Sequence, residues 1–284
     1  MHLVIKRFCQ GTPILRYVYY VARKTYHRRQ IAQQAKDYFV NADDYRGALR
    51  SDDDEGRVVD IRTKDGLTLT IRRNYMEATI LAEVFIEKCY VRGLLLPDHP
   101  VVVDIGGFIG DFALFAAQSL KARRVIVYEP SPGNWTLLTK NVATNKFEDR
   151  IEMVNKAVTD GRPVMLNVDA PNRAQARVSA YSSTNGARKL VPGVTLAQLF
   201  EDHQLSTIDL LKIDCEGGEY DILSTTTSEV FRRIRNIVFE YHEIDGFAAK
   251  LRTVKQKLSG EGYSVKTHGS LISASREQDS PRLT

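Results

Sequence analysis

The sequence predicts a doubly wound, Rossmann-like α/β sheet, mostly parallel with an antiparallel last strand, behind an N-terminal helical and hairpin extension. Two observations support this prediction. Strand-like apolar runs alternate with helical periods from residue 98 to residue 275, as in a parallel sheet with crossover helices. The apolar run from Val101 stops at Asp104, and glycines then lead into a helical period at Phe112. Strand, glycine turn and helix form the first half of a βαβ unit.

Composition indicates an ordinary folded chain of 284 residues, with 43% apolar and 26% charged residues. The net charge of +5 is uneven, because residues 1–36 hold eight basic side chains and no acid. The rest of the chain is slightly negative, which argues against a nucleic-acid partner. The three cysteines have no paired spacing, and no apolar run is long enough to span a membrane. We therefore expect a cytoplasmic protein.

Four segments are predicted along the chain. They are a basic helical extension with an acidic linker (1–56), a hairpin and helix (57–97), the main domain (98–275) and a polar tail (276–284). The basic helices are expected to pack on the domain. The alternative is that residues 1–36 rest peripherally on an anionic membrane at its inner face.

Each element has its own local signal. Alternating polarity on both sides of an Asp-Gly turn predicts a hairpin at 58–71, and helical spacing predicts one helix over 76–92. The later strands are predicted at 125–128, 151–154, 208–213, 237–240, 263–265 and 271–273. The later helices are predicted at 132–145, 195–203, 218–224 and 246–260. An antiparallel excursion is expected at 164–168. Residues 170–193 show no firm period and are expected to be either an acceptor-side loop or a simple insertion.

The glycine turn and the next strand together predict a nucleoside-cofactor site. The turn lacks the nicotinamide fingerprint, because Ile105 stands where a glycine is needed, and no P-loop lysine follows. Glu129 ends the next strand about 20 residues later, the spacing of an acid that binds ribose hydroxyls. The strands of a doubly wound sheet bring their carboxyl ends together. We therefore expect these strand-end residues to converge: Asp104, Glu129, Asp214, Glu240 and His242.

A larger set of motifs occurs in one order over roughly residues 98–272. They are Asp104–Gly110, Tyr128–Pro132, Leu138-x-x-Asn141, Leu211–Glu219 and Phe239–His242. This set resembles the FkbM family of S-adenosylmethionine-dependent methyltransferases, with departures at Phe108 and Ala197. The resemblance implies a class I methyltransferase sheet and O-methylation of a hydroxyl on a sugar, a glycan or glycolipid, or a natural product.

The resemblance also implies which residues contact S-adenosylmethionine. The expected contacts are Asp104, Gly106, Gly107, Gly110, Glu129, Pro130, Asn155, Ala157 and Asp214. The glycines should let the ligand approach bare backbone. Replacing Glu129 by alanine is expected to weaken donor binding and to leave the fold intact.

Methyl transfer to a hydroxyl needs an aligned acceptor and a group that takes its proton. We expect His242, with its ordinary pKa of about 6.5, to be that base, oriented by Asp214 or Glu240. Asp214 is the alternative base, and Glu216 either shapes its turn or reaches the acceptor. The alternative for His242 is a packing or capping role. These four residues are also an oxygen-rich set that suits Mg²⁺ or Mn²⁺, but spacing alone assigns no metal.

A rival hypothesis is a non-catalytic or regulatory Rossmann-like protein that binds a nucleoside cofactor. The charged block from Lys212 to Glu219 counts against it, because an inert domain does not need charged groups at a strand end. Labelled or calorimetric titration with the donor would separate the two hypotheses.

Overall fold

The computed structural model describes residues 28–51, 57–167 and 188–276. Most of the predicted basic segment, nearly all of the acidic linker and most of the loop expected over 170–193 therefore lie outside the described residues. Within the three described ranges, no helix is long and apolar enough to cross a membrane.

The N-terminal extension starts with a helix over residues 28–38 (α1), followed by α2 (Ala42–Leu49). The strands β1 (Val58–Arg62) and β2 (Thr68–Arg72) pair antiparallel, which confirms the predicted hairpin. The helix α3 (Tyr75–Leu81) then passes directly into a π-helical turn, Ala82–Ile86, and a 3₁₀ turn follows at Cys89–Val91. The prediction of one regular helix over 76–92 is therefore wrong. A π-turn widens the helix, and Lys88 adopts a left-handed φ of 50° that ends it.

The main domain continues the chain with eleven strands and six helices among the described residues. The strands are β3 (Val101–Ile105), β4 (Arg124–Tyr128), β5 (Ile151–Val154), β6 (Ala157–Val158), β7 (Val164–Asn167), β8 (Arg188–Val191), β9 (Gly193–Val194), β10 (Ile208–Ile213), β11 (Ile234–Glu240), β12 (Ser264–His268) and β13 (Leu271–Ser275). The helices are α4 (Asp111–Gln118), α5 (Pro132–Thr144), α6 (Leu196–Asp202), α7 (Glu219–Thr225), α8 (Ser228–Arg232) and α9 (Phe247–Gly260).

Seven of these strands form the main sheet in the order β12-β13-β11-β10-β3-β4-β5. The neighbours from β11 to β5 are parallel, whereas β13 is antiparallel to both β11 and β12. The predicted doubly wound sheet with an antiparallel last strand is thus confirmed. The strand order reverses between β3 and β10, and such a switch point leaves a crevice beyond the carboxyl ends of the two strands.

Two short strand pairs lie outside the main sheet. β7 pairs antiparallel with β8, and β6 pairs parallel with β9. The antiparallel excursion is therefore confirmed. The last residues of the stretch expected as an irregular loop form β8 and begin β9 instead. Their partners, β7 and β6, lie well before them in the sequence, so a local pattern does not reveal the pairing.

The sheet is buried on both faces, and β3 shows how. All five of its residues are buried. Val102 packs with α4, α5 and the extension, whereas Val101, Val103 and Ile105 pack with the helices on the other face. Ile61 and Leu69 of the hairpin belong to the first of these cores. The extension and the main domain therefore share one apolar core, which removes their common surface from water.

Two asparagines, one within α5 and one that ends it, dock the hairpin. Asn141 accepts a hydrogen bond from the Thr70 amide at 2.7 Å and donates to the Thr70 carbonyl at 3.1 Å. One turn later, Asn145 repeats both bonds with Thr68 at 2.8 and 2.7 Å. These side-chain amides take the place of a neighbouring strand along β2. The backbone groups of that sheet edge are thereby satisfied.

Candidate active site

A cleft of about 1410 Å³ opens at the switch point of the sheet. The ends of four neighbouring strands contribute Gly106, Glu129, Asp214, Glu240 and His242 to its lining. The extension lines another side with Met76, Ile80, Glu83 and Tyr90. The structure thus brings together most of the strand-end residues that the sequence predicted to converge.

The glycine turn is shaped by its contacts with neighbouring strands. Gly106 has a φ of 78°, and a Cβ there would lie 1.8 Å from the carbonyl oxygen of Asp214. A Cβ on Gly107 would lie 2.0 Å from the Val127 side chain. Of the three glycines, only Gly106 lines the cleft. The expectation that all three give a ligand access to bare backbone is therefore wrong, because Gly107 and Gly110 are needed for packing behind the turn.

Beneath the turn lies a buried ion pair. Asp104 is fully buried and does not line the cleft, which corrects its predicted role as a direct donor contact. Its Oδ1 lies 2.9 Å from Nζ of Lys212, and the same Nζ donates to the Gly106 carbonyl at 2.8 Å. The sequence patterns mark Lys212 only as part of a motif. The sequence does hold one hint of its role: Lys212 lies inside the apolar run of β10, and a buried charge needs a partner.

Glu129 is held by the backbone on both carboxylate oxygens. The amide of Phe108 donates to Oε2 at 2.8 Å, and the amide of Ser131 donates to Oε1 at 2.7 Å. Burial raises the pKa of this carboxyl to about 7. The Asn134 side chain adds a third hydrogen bond, and because a carboxylate has about four lone-pair sites, the group can still accept a ribose hydroxyl. These bonds also correct the expectation that alanine at this position leaves the fold intact, since two amides would lose their acceptor.

Two further predicted donor contacts, Pro130 and Ala157, line the cleft beside Glu129. Asn155 does not. Its side chain donates to the Glu129 carbonyl at 2.7 Å and ties the end of β5 to the end of β4. The predicted contact of Asn155 with the donor is thus replaced by a supporting role.

The substitution Glu129→Gln is expected to weaken the binding of S-adenosylmethionine by about 10- to 100-fold. A neutral amide replaces a charged acceptor, and hydrogen bonds to charged groups contribute about 1.5–3 kcal/mol. Isothermal titration calorimetry measures the affinity, and thermal unfolding reports the cost of the lost backbone bonds. Glu243→Gln is the matched control, because Glu243 also lines the cleft but is exposed. Equal donor affinity in the Glu129→Gln variant and the wild-type chain would remove Glu129 from the donor site.

Several acidic residues of the cleft surround one imidazole. His242 Nε2 lies 3.8 Å from Asp214 Oδ1 and 3.7 Å from Glu216 Oε2. Its Nδ1 lies 3.2 Å from Glu219 Oε1, which also accepts the His242 backbone amide at 2.9 Å. The residue that orients the ring is therefore the fully buried Glu219, not Asp214 or Glu240. In the sequence, Glu219 is marked only as the last acid of the Lys212–Glu219 block.

The charges around this imidazole change its protonation. Burial by itself lowers the pKa of His242, but Glu219, Glu216 and Asp214 outweigh it and raise the pKa to about 9. The pKa therefore lies above the unperturbed value of about 6.5 that made His242 the candidate base. Burial and then Asp214 raise the pKa of the neighbouring Glu240 to about 7. A pKa of about 9 favours the protonated ring at neutral pH.

The extension supplies two residues that sequence patterns do not single out. Tyr90 donates from its hydroxyl to Asp214 Oδ2 at 2.9 Å, and its ring lies 5.3 Å from Lys212 Nζ. Glu83 stands on the π-turn, where burial and then the charges of Glu240 and Asp214 raise its pKa to about 8. The sequence around Glu83 has an ordinary helical period, so it does not reveal the π-turn that places Glu83 at the cleft.

Residues 104–265, more than half of the chain, match the model of the methyltransferase FkbM domain. The chain belongs to the FkbM methyltransferase family. Membership confirms the resemblance inferred from the motifs and identifies S-adenosylmethionine as the methyl donor. The family match begins at Asp104, so Glu83 and Tyr90 lie outside it.

Several known proteins are similar to this FkbM methyltransferase. The 31-O-demethyl-FK506 methyltransferase FkbM of Streptomyces tacrolimicus is 29% identical over 238 residues, covering 72% of this chain and 88% of the relative. Methyltransferase sdnD of Sordaria araneosa is 24% identical over 217 residues, covering 66% and 82%. The crystal structure of methyltransferase FkbM from Methylobacillus flagellatus KT aligns with a TM-score of 0.44 at 17% identity, over 65% of this chain and 45% of that chain.

Proposed function

We propose that this chain transfers a methyl group from S-adenosylmethionine to a hydroxyl of a small molecule, in the class of sugars, glycans or glycolipids and natural products. The observation that supports this most directly is the Glu219–His242 pair, which faces two carboxylates at the switch point of the sheet. The Streptomyces relative is named a 31-O-demethyl-FK506 methyltransferase, which points to a hydroxyl of a small molecule as the acceptor.

The donor end of the cleft is assigned to the residues around the glycine turn. Glu129 would hold the ribose, with Gly106, Pro130, Ala157 and Asp214 as further contacts. Asp104 supports this end from behind through Lys212. S-adenosylmethionine supplies an electrophilic methyl group on a positively charged sulfur. The carboxylates of this cleft favour that positive charge.

The acceptor end is assigned to His242, Asp214, Glu216 and Glu240. An acceptor hydroxyl placed between His242 Nε2 and Asp214 Oδ1 would meet two groups able to take its proton. A protonated imidazole cannot accept one, so His242 acts as the base only after its own proton has left. Glu219 keeps the ring aimed at the cleft in either case.

The test is a screen with isotopically labelled S-adenosylmethionine and a panel of glycans, glycolipids and polyketide alcohols, read by mass spectrometry. We expect one labelled methyl group on a hydroxyl of at least one acceptor class. A reaction mixture without the chain is the control for uncatalysed transfer. Label on nitrogen or carbon would contradict O-methylation. Tight donor binding without any labelled product across a broad panel would favour the regulatory alternative.

A further inference from the structure

Three ligand-type atoms from two neighbouring strand ends face a common point in the cleft. Asp214 follows β10, and Glu240 and His242 lie at the end of β11. One atom from each of these side chains lies within 4.8 Å of the other two. The 3.8 Å between His242 Nε2 and Asp214 Oδ1 is too long for a hydrogen bond. It suits two ligands of one cation, which lie about 3–4.3 Å apart when each is about 2.1 Å from the ion.

The imidazole is prepared for such a role on its other side. His242 Nδ1 lies 3.2 Å from Glu219, a fully buried carboxylate. This contact fixes the ring and leaves Nε2 directed at the cleft. A carboxylate behind the ligating histidine is the usual second layer of a protein metal site, where it sets the tautomer and the ring orientation.

The surrounding charges call for a positive ligand. Lys212, a buried cation of the site, pairs with Asp104, donates to the Gly106 carbonyl and lies 3.9 Å from Asp214 Oδ2, so one ammonium group is shared among several carboxylates. Asp111 is 4% exposed and lines the same cleft, where its own backbone donates a hydrogen bond to the carboxyl and the charge of Lys212 also acts on it. Glu83 lines the cleft near Glu240 and Asp214. Buried carboxylates are normally paired or bound to metal.

We propose that Asp214, Glu240 and His242 bind a divalent cation of the Mg²⁺ or Mn²⁺ type at the acceptor end of the cleft. Carboxylate oxygens suit these hard ions, and a single imidazole is compatible with Mn²⁺. Three protein ligands leave open positions for water and for an acceptor oxygen. His242 and Asp214 are then ligands rather than proton acceptors.

The chemical role of this ion rests on the proposed function, whereas its binding does not. A bound cation lowers the pKa of a hydroxyl that ligates it. The O–H bond breaks, the proton passes to the Glu216 carboxylate and then to water, and the oxygen keeps the electron pair. Glu216 Oε2 lies 3.7 Å from His242 Nε2, beside the proposed site.

The binding test uses the full chain after chelator treatment and a Mn²⁺ titration followed by electron paramagnetic resonance. We expect one saturable Mn²⁺ per chain. Asp214→Asn, Glu240→Gln and Glu219→Gln should each weaken binding at least about tenfold, the effect typical of ligands and second-layer groups. Asp245→Asn is the matched control, because Asp245 is an exposed acid of the same cleft and should change nothing. Thermal unfolding of each variant checks that the chain is folded.

Absence of saturable binding in the wild-type chain would overturn the proposal, as would equal losses in the cluster and control variants. The titration is repeated with S-adenosylmethionine present. Loss of Mn²⁺ on donor addition would show that the carboxylates serve the positive donor instead of a metal, and would also overturn it. Full product formation in excess chelator overturns the chemical role of the cation and keeps the O-methyltransferase. Saturable Mn²⁺ binding without any product in the acceptor screen would support the cation site and contradict the proposed O-methyltransferase function.

Discussion

His242→Ala is expected to lower kcat for the acceptor found in the screen by about 10²- to 10⁴-fold, the usual loss when a group that manages a proton is removed. The affinity for S-adenosylmethionine should stay nearly unchanged, because His242 is not among the residues assigned to the donor and Glu129, which would hold the ribose, ends a different strand. The Glu219 carboxylate keeps the His242 backbone amide as a donor in this variant, so the local fold should persist.

The measurement combines steady-state kinetics with donor calorimetry. His268→Ala, an exposed histidine on β12, is the control and should behave as wild type. Asp214→Asn should also damage turnover and, because the donor is positive, should weaken donor binding as well. A His242→Ala enzyme with near wild-type kcat would exclude the imidazole from the chemical step. Asp214 or simple alignment of donor and acceptor would then explain the rate.

The second large effect concerns stability. Lys212→Met is expected to reduce the free energy of unfolding by about 3–5 kcal/mol, the typical cost of breaking a buried ion pair by removing one partner. Asp104 would be left fully buried without its cation, and the Gly106 carbonyl would lose its donor. Urea unfolding measures the effect. Lys140→Met, at an exposed lysine of α5, is the control and should stay within about 0.5 kcal/mol of wild type.

A double substitution separates charge from packing. Asp104→Asn combined with Lys212→Met should recover part of the stability, because no unpaired charge then remains in the interior. If the double variant is less stable than Lys212→Met by the full cost of Asp104→Asn alone, the two side chains act independently. The ion pair would then not be what stabilises the turn.

The architecture was accessible from the sequence because its signals are local. A run of apolar residues ending in Asp104 marks a buried strand wherever it occurs, and the glycines that follow mark a tight turn. The sites at strand ends were predictable for a topological reason. Once the strands are parallel, Glu129, Asp214 and Glu240 must emerge at the same edge of the sheet.

Side-chain partners were less accessible, because they depend on distances across the fold. Spacing along the chain could not tell that Glu219, rather than Asp214, holds His242, since both follow β10. Nor could it show that Glu129 accepts hydrogen bonds from two backbone amides. It also could not show that the Asn155 side chain donates to the Glu129 carbonyl instead of lining the cleft. The π-turn carrying Glu83 was hidden, because one extra residue per turn leaves a short helical pattern nearly unchanged.

The asparagine contacts that dock the hairpin constrain how the chain folds as it is made. Thr70 and Thr68 obtain their partners from residues 71 and 77 positions further along. At a synthesis rate of about 5–20 residues per second, the edge of β2 stays without them for about 4–15 s after it leaves the site of synthesis. During that interval the extension also lacks the α5 side of its apolar core. The edge of β2 is thus exposed to wrong strand pairing in the nascent molecule, and chaperones would have reason to bind it.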